Sequence, residues 1–116
     1  MRRTINRLSV AVATGVLLVT AAGVASADVE ARGSRTWQRP CGTTYDAKSS
    51  GTLAQTTKRT DGSCDGHAWV RVKYKAGNWS SWQHANGTTR IENSAGNIVR
   101  AEHKGCETCT VYTTTP

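Results

Sequence analysis

HAWVRVKYK, residues 67–75, decides the fold. Ala68, Val70, Val72 and Tyr74 alternate with His67, Trp69, Arg71, Lys73 and Lys75. A period of two belongs to an extended strand, whose successive side chains leave opposite faces of a sheet. One face is aliphatic and turned to a core. The other carries Trp69, Arg71, Lys73 and Lys75 and is turned to water or to a partner. Outward from this strand, turn signals recur about every ten residues, as in a small all-β domain. Asp61-Gly62-Ser63 precedes it, after a strand over Thr52 to Arg59. Ala76-Gly77-Asn78 follows it, then a strand over Trp79 to Ala85. Asn86-Gly87 is a two-residue hairpin signal, since both residue types tolerate positive φ. Further strands are expected over Thr88 to Asn93, Ile98 to His103 and Thr110 to Thr114. The expected fold is an antiparallel β-sandwich or barrel of five to six strands, spanning residues 41–116.

The N-terminus reads as an export signal. Arg2, Arg3 and Arg7 precede an apolar run from Leu8 to Val24, and Ala25-Ser26-Ala27 offers small residues for cleavage after Ala27. The run is short and diluted with Ala and Gly, and no second apolar run exists, so no membrane anchorage is expected after cleavage. Thr4-Ile5-Asn6 is a poor continuation of a twin-arginine signal, which leaves ordinary secretion. Cleavage leaves 89 of the 116 residues and removes three arginines. The mature charge is then +4, from 12 Lys+Arg against 8 Asp+Glu, rather than +7 for the whole chain. Such a balance suits acidic protein surfaces or anionic cell-wall polymers, and with export it excludes a nucleic-acid role.

The mature chain is poor in aliphatics: Leu53, Ile91, Ile98 and five valines, with no Phe or Met. Such a count by itself would point to disorder. Four tryptophans (Trp37, Trp69, Trp79, Trp82) and three tyrosines (Tyr45, Tyr74, Tyr112) offer the missing buried area. Fourteen threonines favour strands. Four cysteines in an exported chain imply two disulfides, which a domain this small needs.

Three cysteine pairings are possible. Cys41–Cys64 with Cys106–Cys109 is preferred over the crossed pairings. The first bridge closes a loop worth roughly 3 kcal/mol. The second spans a C-x-x-C and needs a turn, because an extended strand separates such Cα atoms by about 10 Å; Gly105 supports one. A redox role needs a helix after the first cysteine, and Thr110-Val111-Tyr112-Thr113-Thr114 is β-type. A metal role would add His103 as H-x-x-C-x-x-C but lacks a fourth ligand. No metal and no cofactor are therefore expected.

Catalytic signals are absent from the sequence. DGSCDG, residues 61–66, imitates the opening of a calcium loop, yet its twelfth position is Val72 rather than an acid. His67, His84 and His103 lack an evident acid or nucleophile, and Ser80-Ser81 lies outside any nucleophile elbow. No enzyme is expected.

Binding signals are stronger. Residues 28–40 read as a flexible N-terminal arm, polar except for Trp37 and carrying Arg32, Arg35 and Arg39. Such an arm can order against a partner with Trp37 as anchor. The second candidate patch is Trp69, Arg71 and Lys73 on the wet face of the central strand, beside Trp79, Trp82 and His84. In a regular strand, Trp79 and Trp82 would point to opposite faces. Trp with Arg is the composition of interface hot spots. The candidate partner-binding set is Arg35, Trp37, Arg39, Trp69, Arg71 and Lys73.

From Cys64 onward the chain resembles in pattern the small secreted α-amylase inhibitors of filamentous actinobacteria. The resemblance rests on Cys64, the alternation Val70, Val72, Tyr74, then Gly77, Gly87-Thr88, Gly96 and Cys106. It covers about half of the mature chain and implies a disulfide-bonded β-sandwich. It does not imply amylase inhibition. The family carries Trp-Arg-Tyr between its first two cysteines, and residues 41–64 contain no such triplet. The family's third cysteine falls at Ser81, so its second bridge would be lost or moved to Cys106–Cys109. In size, export and arm-plus-domain layout the chain also resembles the small adaptor subunits of actinobacterial umbrella toxin particles. That resemblance implies an adaptor of a larger secreted complex. The expected function is a secreted protein-binding module, an adaptor or an inhibitor-like binder. A cell-wall or glycan-binding antimicrobial protein is the alternative.

Overall fold

The computed structural model describes residues 31–116, so the expected signal peptide and residues 28–30 lie outside the described residues. Two sheets make an all-β sandwich. In chain order the strands are β1 (Ala31–Arg32), β2 (Ser34–Gln38), β3 (Thr44–Ser49), β4 (Leu53–Lys58), β5 (Ala68–Tyr74), β6 (Gln83–Ala85), β7 (Thr88–Glu92), β8 (Ile98–Lys104) and β9 (Tyr112–Thr115). One sheet has the order β1-β9-β8-β5-β6 and the other β2-β3-β4-β7. All pairings are antiparallel except that of β1 with β9.

More strands form than the five or six expected, because the segment read as a flexible arm is built into the sandwich. Ser34–Gln38 pairs along its whole length with Thr44–Ser49, and Ala31–Arg32 pairs with the end of β9. The physical reason is an alternation hidden by polarity. Arg35, Trp37 and Arg39 are half-buried while Ser34, Thr36 and Gln38 are exposed, a period-two pattern in which two of the three inner residues are long and cationic. Strand β3 hides in the same way, since its inward residues are Tyr45, Ala47 and Ser49.

Asn86-Gly87 also departs from expectation. It does not close a hairpin: β6 pairs with β5 and β7 pairs with β4, so this connection carries the chain from one sheet to the other. Gly87 takes φ +132°, and its carbonyl accepts a 2.6 Å bond from the Lys58 N–H.

Small residues fill the core. Ala54, Val70, Val72, Ile98 and Ala101 form its apolar centre, with Tyr74 and Ile91 packed at its edge. None of the four tryptophans is among the buried residues. The Tyr45 ring, further small residues, hydroxyls and one imidazole take up the remaining interior. His103 is fully buried and bonded at both nitrogens, Nδ1 to Thr56 Oγ1 at 2.7 Å and Nε2 to Thr114 Oγ1 at 2.8 Å. Thr56 donates its single hydroxyl proton to the Trp69 carbonyl at 2.9 Å. Nδ1 must then be the protonated nitrogen, and Nε2 accepts from Thr114. Thr114 in turn accepts from Ser49 at 2.7 Å. Every polar atom of this chain has a partner, as burial requires. Desolvation, with the nearby Arg35 charge, lowers the His103 pKa from 6.5 to about 3.

Two disulfides join Cys41 to Cys64 and Cys106 to Cys109, with Cα atoms 5.1 and 5.0 Å apart. Such bridges persist in an oxidising compartment and fit an extracellular protein. The first lies under a clamp. Asp61 accepts from the Thr44 N–H and hydroxyl, at 2.9 and 2.7 Å, which holds its carboxyl below the ordinary range. Gly62 at φ +69° lets this loop touch residues 42–43, where a Cβ would collide with Gly42 and the Thr43 nitrogen.

Candidate functional site

Strand β5 carries its outward residues as the alternation requires. Trp69, Arg71 and Lys73 leave the outer face of the five-stranded sheet, opposite Val70 and Val72 in the core. Register then supplies their neighbours. Trp69 faces Lys104, Arg71 faces Glu102 and Lys73 faces Arg100 on β8, while Trp69 faces His84 on β6. Like faces like across a ladder, so all of these side chains share one surface.

The result is a continuous row of rings and cations. The Arg71 guanidinium carbon lies 4.6 Å from the Trp79 ring and 4.8 Å from the Trp82 ring. Lys104 Nζ lies 4.3 Å from the Trp82 ring and 4.9 Å from that of Trp69. Trp69 stacks on His84 with centroids 4.0 Å apart, and His84 Nδ1 meets His67 Nδ1 at 2.9 Å. The row therefore reads Trp79, Arg71, Trp82, Lys104, Trp69, His84, His67. Glu102 anchors it from below, with its Oε1 2.7 Å from both Arg71 Nε and Nη2. Lys104 is buried between its two rings, and its ammonium donates to the Glu107 carbonyl at 2.6 Å. Each cation is thus neutralised or capped, which holds the tryptophans in place.

Trp79 and Trp82 reach the same cation, against the opposite-face expectation. The chain between them is not a regular strand: β6 begins only at Gln83, and residue 79 makes an isolated bridge to Lys73. Ser80 Oγ accepts from the Val72 N–H at 3.0 Å, and the Ser80 N–H donates to the Val72 carbonyl at 2.8 Å. This local closure breaks the period of two and brings both indoles outward. All three tryptophans of the row are half-buried.

The other three sequence candidates lie elsewhere. Arg35 and Trp37 on the inner side of edge strand β2, with Arg39 just beyond its end, line the seam between the sheets. Trp37 stacks on Tyr45 of its own sheet and on Tyr112 of the opposite sheet, with centroids 5.4 and 4.3 Å apart. Arg35 sits 4.8 Å over the Tyr112 ring. Arg39 Nη1 donates to Tyr45 Oη, the Asp65 carbonyl and the Gly105 carbonyl, at 3.1, 2.8 and 3.3 Å. Trp37, Arg39 and Tyr112 also line a groove of about 340 Å³ beside Cys109 and Thr108.

Glu102 and Lys104 escaped sequence reasoning. The signal was present in Arg100, Glu102 and Lys104, which alternate with the same period as Trp69, Arg71 and Lys73. Only the register, Arg71 against Glu102, reveals the charge match.

The chain matches no family model, no curated protein and no solved structure.

Proposed function

We propose that the protein is a secreted, non-enzymatic binding module that uses the outer face of its five-stranded sheet to hold a larger secreted protein. One observation carries this reading: three half-buried tryptophans stand on a single sheet face, interleaved with Arg71 and Lys104, and contribute nothing to the core. Tryptophans that stand part-exposed on a sheet face, outside the apolar core, are suited to be covered by a partner. Trp and Arg at the centre of a patch are hot-spot residues. The Glu102 anchor and the cation–ring contacts fix their rotamers in advance, which reduces the entropy lost on docking. Lys73 continues the same face, so a partner surface with acidic groups around an apolar centre is the complement. The N-terminal signal supplies the export.

This reading replaces docking through a free arm, because Ala31–Gln38 is committed to the sheets. An adaptor of a secreted toxin-type complex and an inhibitor-like binder both fit it. A second reading, adhesion to an anionic wall polymer, draws on Lys73 and Lys75 at the end of the same strand. Sugar stacking fits less well, since Arg71 and Lys104 already occupy ring faces, and Trp69 and Trp82 meet edge to face at 77°.

The test is affinity capture of the C-terminally tagged protein from its own culture medium, beside its Trp82→Ala variant. The proposal expects a stoichiometric secreted protein with the parent and about ten-fold less with the variant. Equal recovery with both would remove the face from the account. Retention on purified wall polymer that vanishes at high salt, with no protein partner, would favour the second reading.

A further inference from the structure

His67 and His84 close one end of the outer row, and the proposed docking role draws on neither imidazole. His84 lies on β6 opposite Trp69, and His67 precedes β5, two residues before Trp69. They are diagonal neighbours on the outer face, and both are exposed. Their Nδ1 atoms are 2.9 Å apart, with ring centroids separated by 5.1 Å. One Nδ1 must donate and the other accept, so the neutral pair shares a single proton between two ring nitrogens. A shared proton between two basic nitrogens is a place where a metal ion can substitute.

From this we infer a two-histidine site for a divalent transition metal, Cu²⁺ first and Ni²⁺ second. Cu²⁺ stands highest in the general affinity order of divalent first-row ions for such ligands, which runs up through Ni²⁺ to Cu²⁺. Imidazole is a suitable ligand type for copper and nickel, and water completes the coordination on the open side.

The setting defines how the site behaves. His84 is held by its stack on Trp69, so the exposed His67 supplies the ring rotation that turns both Nδ1 atoms toward one point. Asp65 stands two residues upstream of His67. Lys104 lies on the Trp69 ring, and Lys58 donates to the Gly66 carbonyl beside His67. These nearby cations oppose a bound dication, and with only two protein ligands they make the site weak enough to exchange its metal.

Trp69 is a built-in reporter, because its ring is 4.0 Å from that of His84. The experiment is a titration of the purified secreted protein with Cu²⁺, read by tryptophan fluorescence and by electron paramagnetic resonance. His67→Gln retains a hydrogen-bonding group, and His84→Phe retains a ring on Trp69, so both variants keep the local packing. Saturable quenching at one ion per chain, a tetragonal spectrum with nitrogen splitting, and loss of about ten-fold or more in affinity in each variant support the site. A smaller effect of either variant, or no binding by the parent at sub-millimolar Cu²⁺, overturns it.

Discussion

Two clusters in this molecule combine tryptophan with arginine, and they have different mechanical positions. The first, Trp37 with Tyr45, Tyr112, Arg35 and Arg39, bridges the two sheets. The second, Trp69, Trp79 and Trp82 with Arg71 and Lys104, lies on one face of one sheet. Removing a piece of the first opens the seam between layers. Removing a piece of the second uncovers part of one sheet face, Lys104 included, and parts no layers. Composition is shared; location ties one cluster to the fold and leaves the other free for the recognition role proposed above.

The largest effect is expected where the seam is tightest. A Cβ on Gly105 would lie 2.9 Å from Tyr45 Cζ and 3.1 Å from Arg39 Cδ. Gly105→Val therefore drives the Tyr45 ring out of the seam and is expected to cost about 3 kcal/mol of unfolding free energy in urea. A cost below about 1 kcal/mol would mean that the seam is loosely packed.

Acid tests the interior behind both clusters. The folded pKa of His103 lies at about 3, below its ordinary 6.5, so between these values the unfolded chain binds a proton that the folded chain refuses. The stability this group contributes is complete above pH 6.5 and declines by about 1.4 kcal/mol per pH unit below it, levelling near pH 3. Asp46 is held low by its hydrogen bond to Arg59 and Asp61 by the Thr44 N–H, and both act further down, from 3.8 downward. Unfolding at pH 7 and pH 5 should differ by about 2 kcal/mol. Equal stability at the two values would contradict the closed His103 network.

The smallest effect is expected at the outer end of the row. Trp79→Ala removes one ring from Arg71 but leaves the Glu102 contact and the Trp82 contact intact. Its cost should stay at about 0.5–1 kcal/mol, measured by thermal unfolding. A cost above about 2 kcal/mol would make the row part of the fold.

Sequence patterning carried the central strand and the all-β class, because Val70 and Val72 alternate with unmistakably outward residues, and cysteine spacing with the turn at Gly105 carried the preferred disulfide pairing. It missed β2 and β3 for one reason. Their inward positions are Arg35, Trp37, Tyr45, Ala47 and Ser49, which resemble a surface pattern until Tyr112 and Arg39 are brought against them from outside the local window. It misread Asn86-Gly87, since a two-residue turn has the same chemistry whether it joins paired strands or crosses between sheets. Of the outer face, Trp69, Arg71 and Lys73 were visible from period alone. Glu102, Lys104 and the His67–His84 contact depend on register, and the shared side of Trp79 and Trp82 depends on one serine hydroxyl.

The most direct test of the division between the two clusters is a paired urea unfolding of Trp37→Ala and Trp82→Ala. Trp37 joins two sheets, and its loss should cost about 3 kcal/mol. Trp82 joins none, and its loss should cost about 1 kcal/mol or less. Equal costs, or a larger cost for Trp82→Ala, would contradict the assignment of the outer face to recognition.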